Sequence, residues 1–229
     1  MDDGFTMRRM TRAELDTAAE WAAAEGWNPG LGDATAFWAT DPEGFFVGEL
    51  DGEVVASISI VRYVAPNPTL ASAPHGPALH GSAAPEGLEP FARTDLADLV
   101  VYDASVFGCR RPEFLEAWLA QAGSRTLVAR EAGRITGYGA IRPAAEGYRV
   151  NPLFAETTGI AASLLDALLA TVPEGELVAV DVPGVNDDAV RLVAERSMTP
   201  AFETARMYAG DVPDTDWRRV FGVTSFELG

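Results

Sequence analysis

Apolar residues along this 229-residue chain switch between a helical period and strict alternation, and each switch marks an element. Phe5 to Met10 reads as a strand. Thr11 then opens a helix, with Glu14 three residues on completing a capping box. Leu15, Ala18, Ala19 and Ala22 share one face of it, and Gly26 ends it. Trp27-Asn28-Pro29-Gly30 reads as a turn before a shorter helix carrying Phe37 and Trp38. Alternation from Gly44 to about Tyr63 predicts a hairpin. From Val64 to Thr94 the pattern fails. Pro66, Pro68, Pro74, Pro77, Pro85 and Pro90 break helices and central strands there, with Ala, Ser and Gly between them, so the stretch reads as a linker or long loop.

Order resumes near Asp95. Leu96 to Phe107 has helical spacing. Pro112 suits a first helical turn, and Phe114, Leu115, Trp118, Leu119 and Ala122 form a stripe closed by Gly123. A second hairpin follows, then a strand from Gly147 to Ala155. The next helix presents Ile160, Ala161, Leu164, Leu165, Leu168 and Leu169 and stops before Pro173. Leu177 to Val182 predicts a short buried strand. Asn186 caps a further helix, with Asp187 and Asp188 near its positive end. Ala201 to Ala209 and Phe221 to Leu228 predict the last strands.

The two hairpins are related. Phe46 to Ile60 lines up with Leu127 to Ile141, 81 positions later, with Gly52 and Gly133 at matching turns. The expected organisation is a partial unit at 1–63, a Pro/Ala/Gly-rich linker at 64–94 and a complete unit at 95–229.

The second unit's order is helix, helix, three antiparallel strands, helix, strand, helix and two strands. It resembles the GNAT N-acetyltransferase fold, an α+β architecture whose mixed, mostly antiparallel sheet is flanked by helices. Glu25 to Gly30, Asp41 to Phe46 and Phe221 to Leu228 look like the tandem GNAT proteins of bacteria, whose C-terminal half is divergent. The resemblance implies acetyl transfer from acetyl-CoA to a primary amine, of a small molecule or a peptide, by direct attack, the carbonyl polarised by a strand amide. In that family a Gln/Arg-x-x-Gly-x-Gly/Ala loop opening a helix holds the coenzyme A pyrophosphate. Glu156-Thr157-Thr158-Gly159-Ile160-Ala161 stands at that place. The resemblance therefore puts the cofactor at Phe154, Thr157, Thr158, Gly159, Ile160 and Ala161, with Asn186 nearby. Glu156 departs from the motif: it sets a carboxylate against a polyanion, or it is simply a good helix opening.

A second family signature, Asn-x-x-Ala-x-x-Leu-Tyr-x-x-x-Gly-Phe, is met by Asn186, Ala189 and Leu192. Val193 replaces the tyrosine that serves many members as general acid, and Ser197 and Met198 replace Gly-Phe. No catalytic residue is assigned. Two readings stay open: an acetyltransferase whose activity is impaired or lost, and a noncatalytic ligand-binding or interaction module on the same scaffold. The first unit offers no such cradle before Asp95, which degeneration would explain, as would an internal deletion or frameshift. Its hairpin edge, Val54 to Val61, would invite a strand from a second copy, making a homodimer the candidate assembly.

Composition narrows this further. Hydrophobic residues at 48% and charged residues at 22% fit a soluble globular protein. No apolar run reaches the roughly 18 residues a membrane helix needs, and the N-terminus lacks a signal peptide's regions. Cys109 is alone, so no internal disulfide forms, and a cytoplasmic home fits. A structural thiol is the simpler reading of it. The net charge is −17 and all 17 basic residues are arginines, which argues against nucleic-acid binding and would favour a cationic acceptor. No CxxC or HExxH occurs, and His75 and His80 make a poor metal site, so no metal is expected. Trp27, Phe37 and Trp38 would line a pocket or pack as core. Glu49 and Glu53 read as solvated. Tyr148 and Tyr208 read as packing residues or acids, and Arg142 and Arg149 as partners of phosphates or of carboxylates.

Overall fold

Alternation in the hairpins and helical periodicity between them produce two sheets joined along a seam of helices. The computed structural model describes residues 4–62, 87–207 and 215–226. β1 (Phe5–Arg9), β2 (Phe45–Leu50) and β3 (Glu53–Ser59) form an antiparallel sheet in that order, with α1 (Arg12–Ala24) and α2 (Asp33–Thr40) between β1 and β2. The larger sheet runs β4 (Leu88–Pro90), β5 (Arg125–Glu131), β6 (Arg134–Pro143), β7 (Tyr148–Ala155) and β8 (Val178–Val180), and β9 (Val220–Gly222) also pairs with β7. α3 (Leu96–Phe107) and α4 (Pro112–Leu119) join β4 to β5, α5 (Thr158–Leu169) joins β7 to β8, and α6 (Asp187–Ala194) follows β8. Among the described residues no helix is long and apolar enough to cross a membrane.

Local signals act as their chemistry dictates. Thr11 accepts from Glu14 N while the Glu14 carboxylate accepts from Thr11 N, so the capping box starts α1. The hairpins turn alike, with Asp51 and Gly52 at φ 51° and 85° and Ala132 and Gly133 at 48° and 79°, the backbone of a two-residue type I′ turn. The likeness extends to register. Phe46 pairs Ile58 as Leu127 pairs Gly139, and the ladder slips between Gly48 and Glu49 as it does between Ala129 and Arg130.

The same offset reaches back into the stretch expected to be linker. Met7 pairs Gly48, and Leu88 in β4 pairs Ala129; Met10 N donates to Phe45 O, and Phe91 N to Thr126 O, both at 2.9 Å. The linker reading is thus corrected at its end, where β4 occupies residues 88–90. Pro90 is tolerated because β4 is an edge strand with a single partner. Residues 64–86 of that stretch, with His75 and His80, lie outside the described residues, as do Tyr63 and Tyr208.

Three other expectations are not met in full. Of the expected strand Phe221–Leu228 only Phe221 and Gly222 lie in a strand, β9, and residues 223–226 do not. Residues 201–207 of the expected strand Ala201–Ala209 form no strand and are exposed, because no described strand lies alongside to pair with them. The strand expected over Leu177–Val182 shortens to β8, which is half-buried, and Leu177 is exposed.

The core follows from these layers. α5 lies on β5, β6 and β7 and buries Ile160, Ala161, Leu164, Leu165 and Leu168 against Ile141, Val150 and Leu153. The approach is close: a methyl on Gly137 would stand 2.7 Å from Ile160 Cγ2, and one on Gly139 would stand 2.9 Å from Leu168 Cδ1. α2 packs on α4, with Phe37 stacked on Trp118 at 6.0 Å and Trp118 stacked on Phe114 at 5.0 Å. This seam ties the smaller sheet, through Met10, Phe45 and Val47, to Val100 of α3 and to Phe114, Leu115 and Trp118 of α4 in one apolar cluster.

Charges are buried along it too. Arg142 donates to both oxygens of Asp33, from Nε at 2.7 Å and Nη2 at 2.8 Å, and lies over Trp118. Its Nη1 donates to Asn151 Oδ1, and Asn151 Nδ2 donates to Asp181, which also receives Arg149. Arg149 donates as well to the carbonyls of Trp27 and Asn28. Both arginines are therefore held by carboxylates inside the protein, the second of the two expectations for them.

Candidate functional site

The C-terminal end of β7 runs into α5 through Glu156 and Thr157. Thr157 is extended, and its hydroxyl accepts from Ile160 N at 3.2 Å, capping the helix. The first-turn N–H groups of Thr158 and Gly159 have no acceptor within the helix, and they carry the positive end of its dipole. Thr158 is exposed and Gly159 half-buried, so this end is accessible. The motif residues divide accordingly. Thr157, Thr158 and Gly159 frame the helix start, whereas Phe154, Ile160 and Ala161 point their side chains into the core.

Glu156 does not stand alone. Its Oε1 accepts from Arg219 Nη2, an arginine that the sequence reading passed over. Arg219 Nη2 also donates to Ser105 Oγ at 3.0 Å and Nη1 to Ser105 O at 3.2 Å, while the guanidinium lies over the Tyr102 ring. Tyr102 donates its hydroxyl to Thr136 O, and burial, followed by the Glu156 charge, pushes its phenol well above the ordinary range.

Asn186 reaches this cluster from behind. Its Oδ1 accepts from Asp188 N and Ala189 N to cap α6, and its Nδ2 donates to Trp217 O at 3.0 Å and Val220 O at 2.9 Å. The predicted cofactor neighbour is thus engaged by the backbone on both sides of Arg219. β9 continues from there. Phe154 pairs Val220 and Leu153 pairs Gly222, while β8 pairs β7 only at Tyr148 to Val150. Val223 N donates to Asp181 O just past β8, so β9 lies where β7 and β8 diverge. A methyl on Gly222 would sit 3.2 Å from Leu153 Cβ and 3.3 Å from Val180 Cγ1.

The remaining candidates disperse. Phe37 is core, Trp38 stacks on Phe45 at 5.7 Å, and Trp27 is exposed. Glu49 pairs with Arg8, and Glu53 is exposed. Tyr148 lies at the other end of β7 from the α5 start, beside a cavity of about 250 Å³ lined also by Ser124, Arg125 and Thr171. Val193 packs against the main core. Burial pushes the Cys109 thiol up to about 11, which suits a packed, protonated sulfur. Among the described residues no cluster of three His, Cys, Asp or Glu could hold a metal.

Comparison with known proteins converges on one superfamily. Residues 99–222 match the family model of an acetyltransferase (GNAT) domain. The chain is 25% identical to the holothin acyltransferase of Pseudoalteromonas sp. (strain SANK 73390), over 98% of this chain and 95% of that one. That alignment runs over 278 positions, more than the 229 residues present here, so part of the relative faces gaps. A crystal structure from Pyrococcus horikoshii, described as an acetyltransferase, superposes with a TM-score of 0.74 at 16% identity, covering 100% of this chain and 97% of that one. At that identity the likeness speaks for the fold.

Proposed function

This chain belongs to the GNAT acetyltransferase family, and on that premise we propose that it transfers an acetyl group from acetyl-CoA to a primary amine. The observation that carries the reading is the start of α5. A twelve-residue helix presents accessible first-turn N–H groups at the end of a central strand, with the adjacent Glu156 neutralised by Arg219. Thr157, Thr158 and Gly159 would hold the pyrophosphate by backbone and hydroxyl donors, and Phe154, Ile160 and Ala161 would set the floor beneath it. Bound there, acetyl-CoA supplies a thioester whose carbonyl an amine nitrogen attacks; the C–N bond forms, the C–S bond breaks and the thiolate takes up a proton. With valine at position 193 that proton comes from solvent or from the amine itself. The net charge of −17 favours approach of a cationic acceptor, and the relative named as a holothin acyltransferase supports acyl transfer.

The reading includes a duplicated architecture whose first copy lacks its cradle. It is supported by the shared offset of 81 residues in strand register and by the gapped alignment with the longer relative. Calorimetric titration with acetyl-CoA tests the function. We expect saturable binding below millimolar concentration that Gly159→Asp abolishes, since its carboxylate would enter the phosphate position. No heat with the unaltered protein at millimolar acetyl-CoA would sink the reading.

One observation favours a noncatalytic module instead: β9 lies in the divergence of β7 and β8, and the Asn186 side chain is spent on it. Binding without release of free coenzyme A thiol across a panel of amines would select that reading.

A further inference from the structure

Glu156 is the residue that most opposes a polyanion at the α5 start, and the structure surrounds it with a specific answer. We propose that Arg219 is a positioning residue that makes this helix end a phosphate site by neutralising Glu156 and holding its carboxylate aside. The inference rests on the coenzyme A reading above and deepens it.

Arg219 is fixed from four directions. Its guanidinium donates to Glu156 Oε1, to Ser105 Oγ and to Ser105 O, and its face covers Tyr102. Its backbone N–H donates to Asp216 O at 3.0 Å, and Asn186 grips the carbonyls of Trp217 and Val220 on either side of it. The Phe154–Val220 pair sets Arg219 beside the end of β7, from where its side chain reaches Glu156. The residue is 9% exposed, and its Nε is buried without a partner, so the group is held inside at a cost and not left as a surface pair. An arginine keeps its charge in such a place. Without it, a carboxylate one residue from the helix cap would repel the pyrophosphate that the N–H groups attract. With it, the local charge is balanced and the N–H groups decide.

The test is a double-mutant cycle on the full chain, with acetyl-CoA as the probe and melting curves as a control for folding. R219Q should bind about tenfold or more weakly, the effect of one uncompensated charge beside a polyanion. E156Q should bind at least as tightly as the unaltered protein. The double variant should return to within about threefold of it, because neither charge remains. A purely structural arginine would leave the double variant as weak as R219Q, and that outcome overturns the proposal, as does R219Q binding at full strength. Should R219Q fail to fold, E156Q decides, and tenfold weaker binding by it overturns the proposal. If neither the unaltered protein nor E156Q binds, the coenzyme A reading falls and takes this one with it; if both bind while R219Q is unimpaired, only this one falls.

Discussion

At the scale of single residues, Glu14 carries the clearest pH signature. Arg8 donates to it from both terminal nitrogens, at 2.9 and 2.6 Å, and it accepts as well from Thr11 N and Oγ1. Those bonds, Arg8's first, pull its carboxyl down to about 2. A depressed carboxyl contributes stability that is complete above its ordinary value of about 4.3 and is lost as pH falls through the folded value. Glu14→Gln should therefore be less stable than the unaltered protein at pH 7, with the gap closing between about pH 4.5 and pH 2. Urea denaturation at a series of pH values reads this directly; a gap that persists at pH 2 would assign the effect to something other than charge. This pair was half legible: Thr11 and Glu14 of the box lie three positions apart, whereas Arg8 joins it only once β1 is in place.

Among elements, those announced by local chemistry were read from the sequence. Thr11, Pro112 and Asn186 mark helix starts by what a single side chain or ring does to the adjoining backbone. β4 was not legible, because three residues ending in Pro90 have no signal apart from their pairing with β5. Residues 201–207 show the converse, alternation with no described strand alongside. Asn186 was singled out for a ligand, yet its Oδ1 caps α6 while its Nδ2 holds carbonyls of the segment carrying Arg219. Asn186→Ala should then cost about 2–3 kcal/mol, a lost cap plus buried carbonyls left bare. A loss under about 0.5 kcal/mol in chemical denaturation, the usual size for an inert surface change, would refute the clamp.

On the scale of the whole molecule, the buried ion pairs decide cohesion. Arg142 and Arg149 were visible as charges, but their partners Asp33 and Asp181 lie 109 and 32 positions away, beyond any local rule. Arg219 escaped notice for the same reason, 63 positions from Glu156, while the candidate loop from Glu156 to Ala161 is contiguous and so stands out as a motif. Asp33→Asn leaves Arg142 charged, buried and without its counter-ion, for an expected loss of about 3–5 kcal/mol. Guanidinium denaturation followed by tryptophan fluorescence checks it, and a shift near zero would mean that the seam is held by Phe37, Phe114 and Trp118 alone. β9, finally, imposes an order in time. Its partner strand lies far back in the chain, so a long loop must close before the first ladder bond forms, a delay that hairpins with two-residue turns do not face. Until Val220 and Gly222 arrive, Leu153 and Phe154 keep one backbone edge unpaired, and in that interval a strand from another nascent chain could be exchanged for the chain's own.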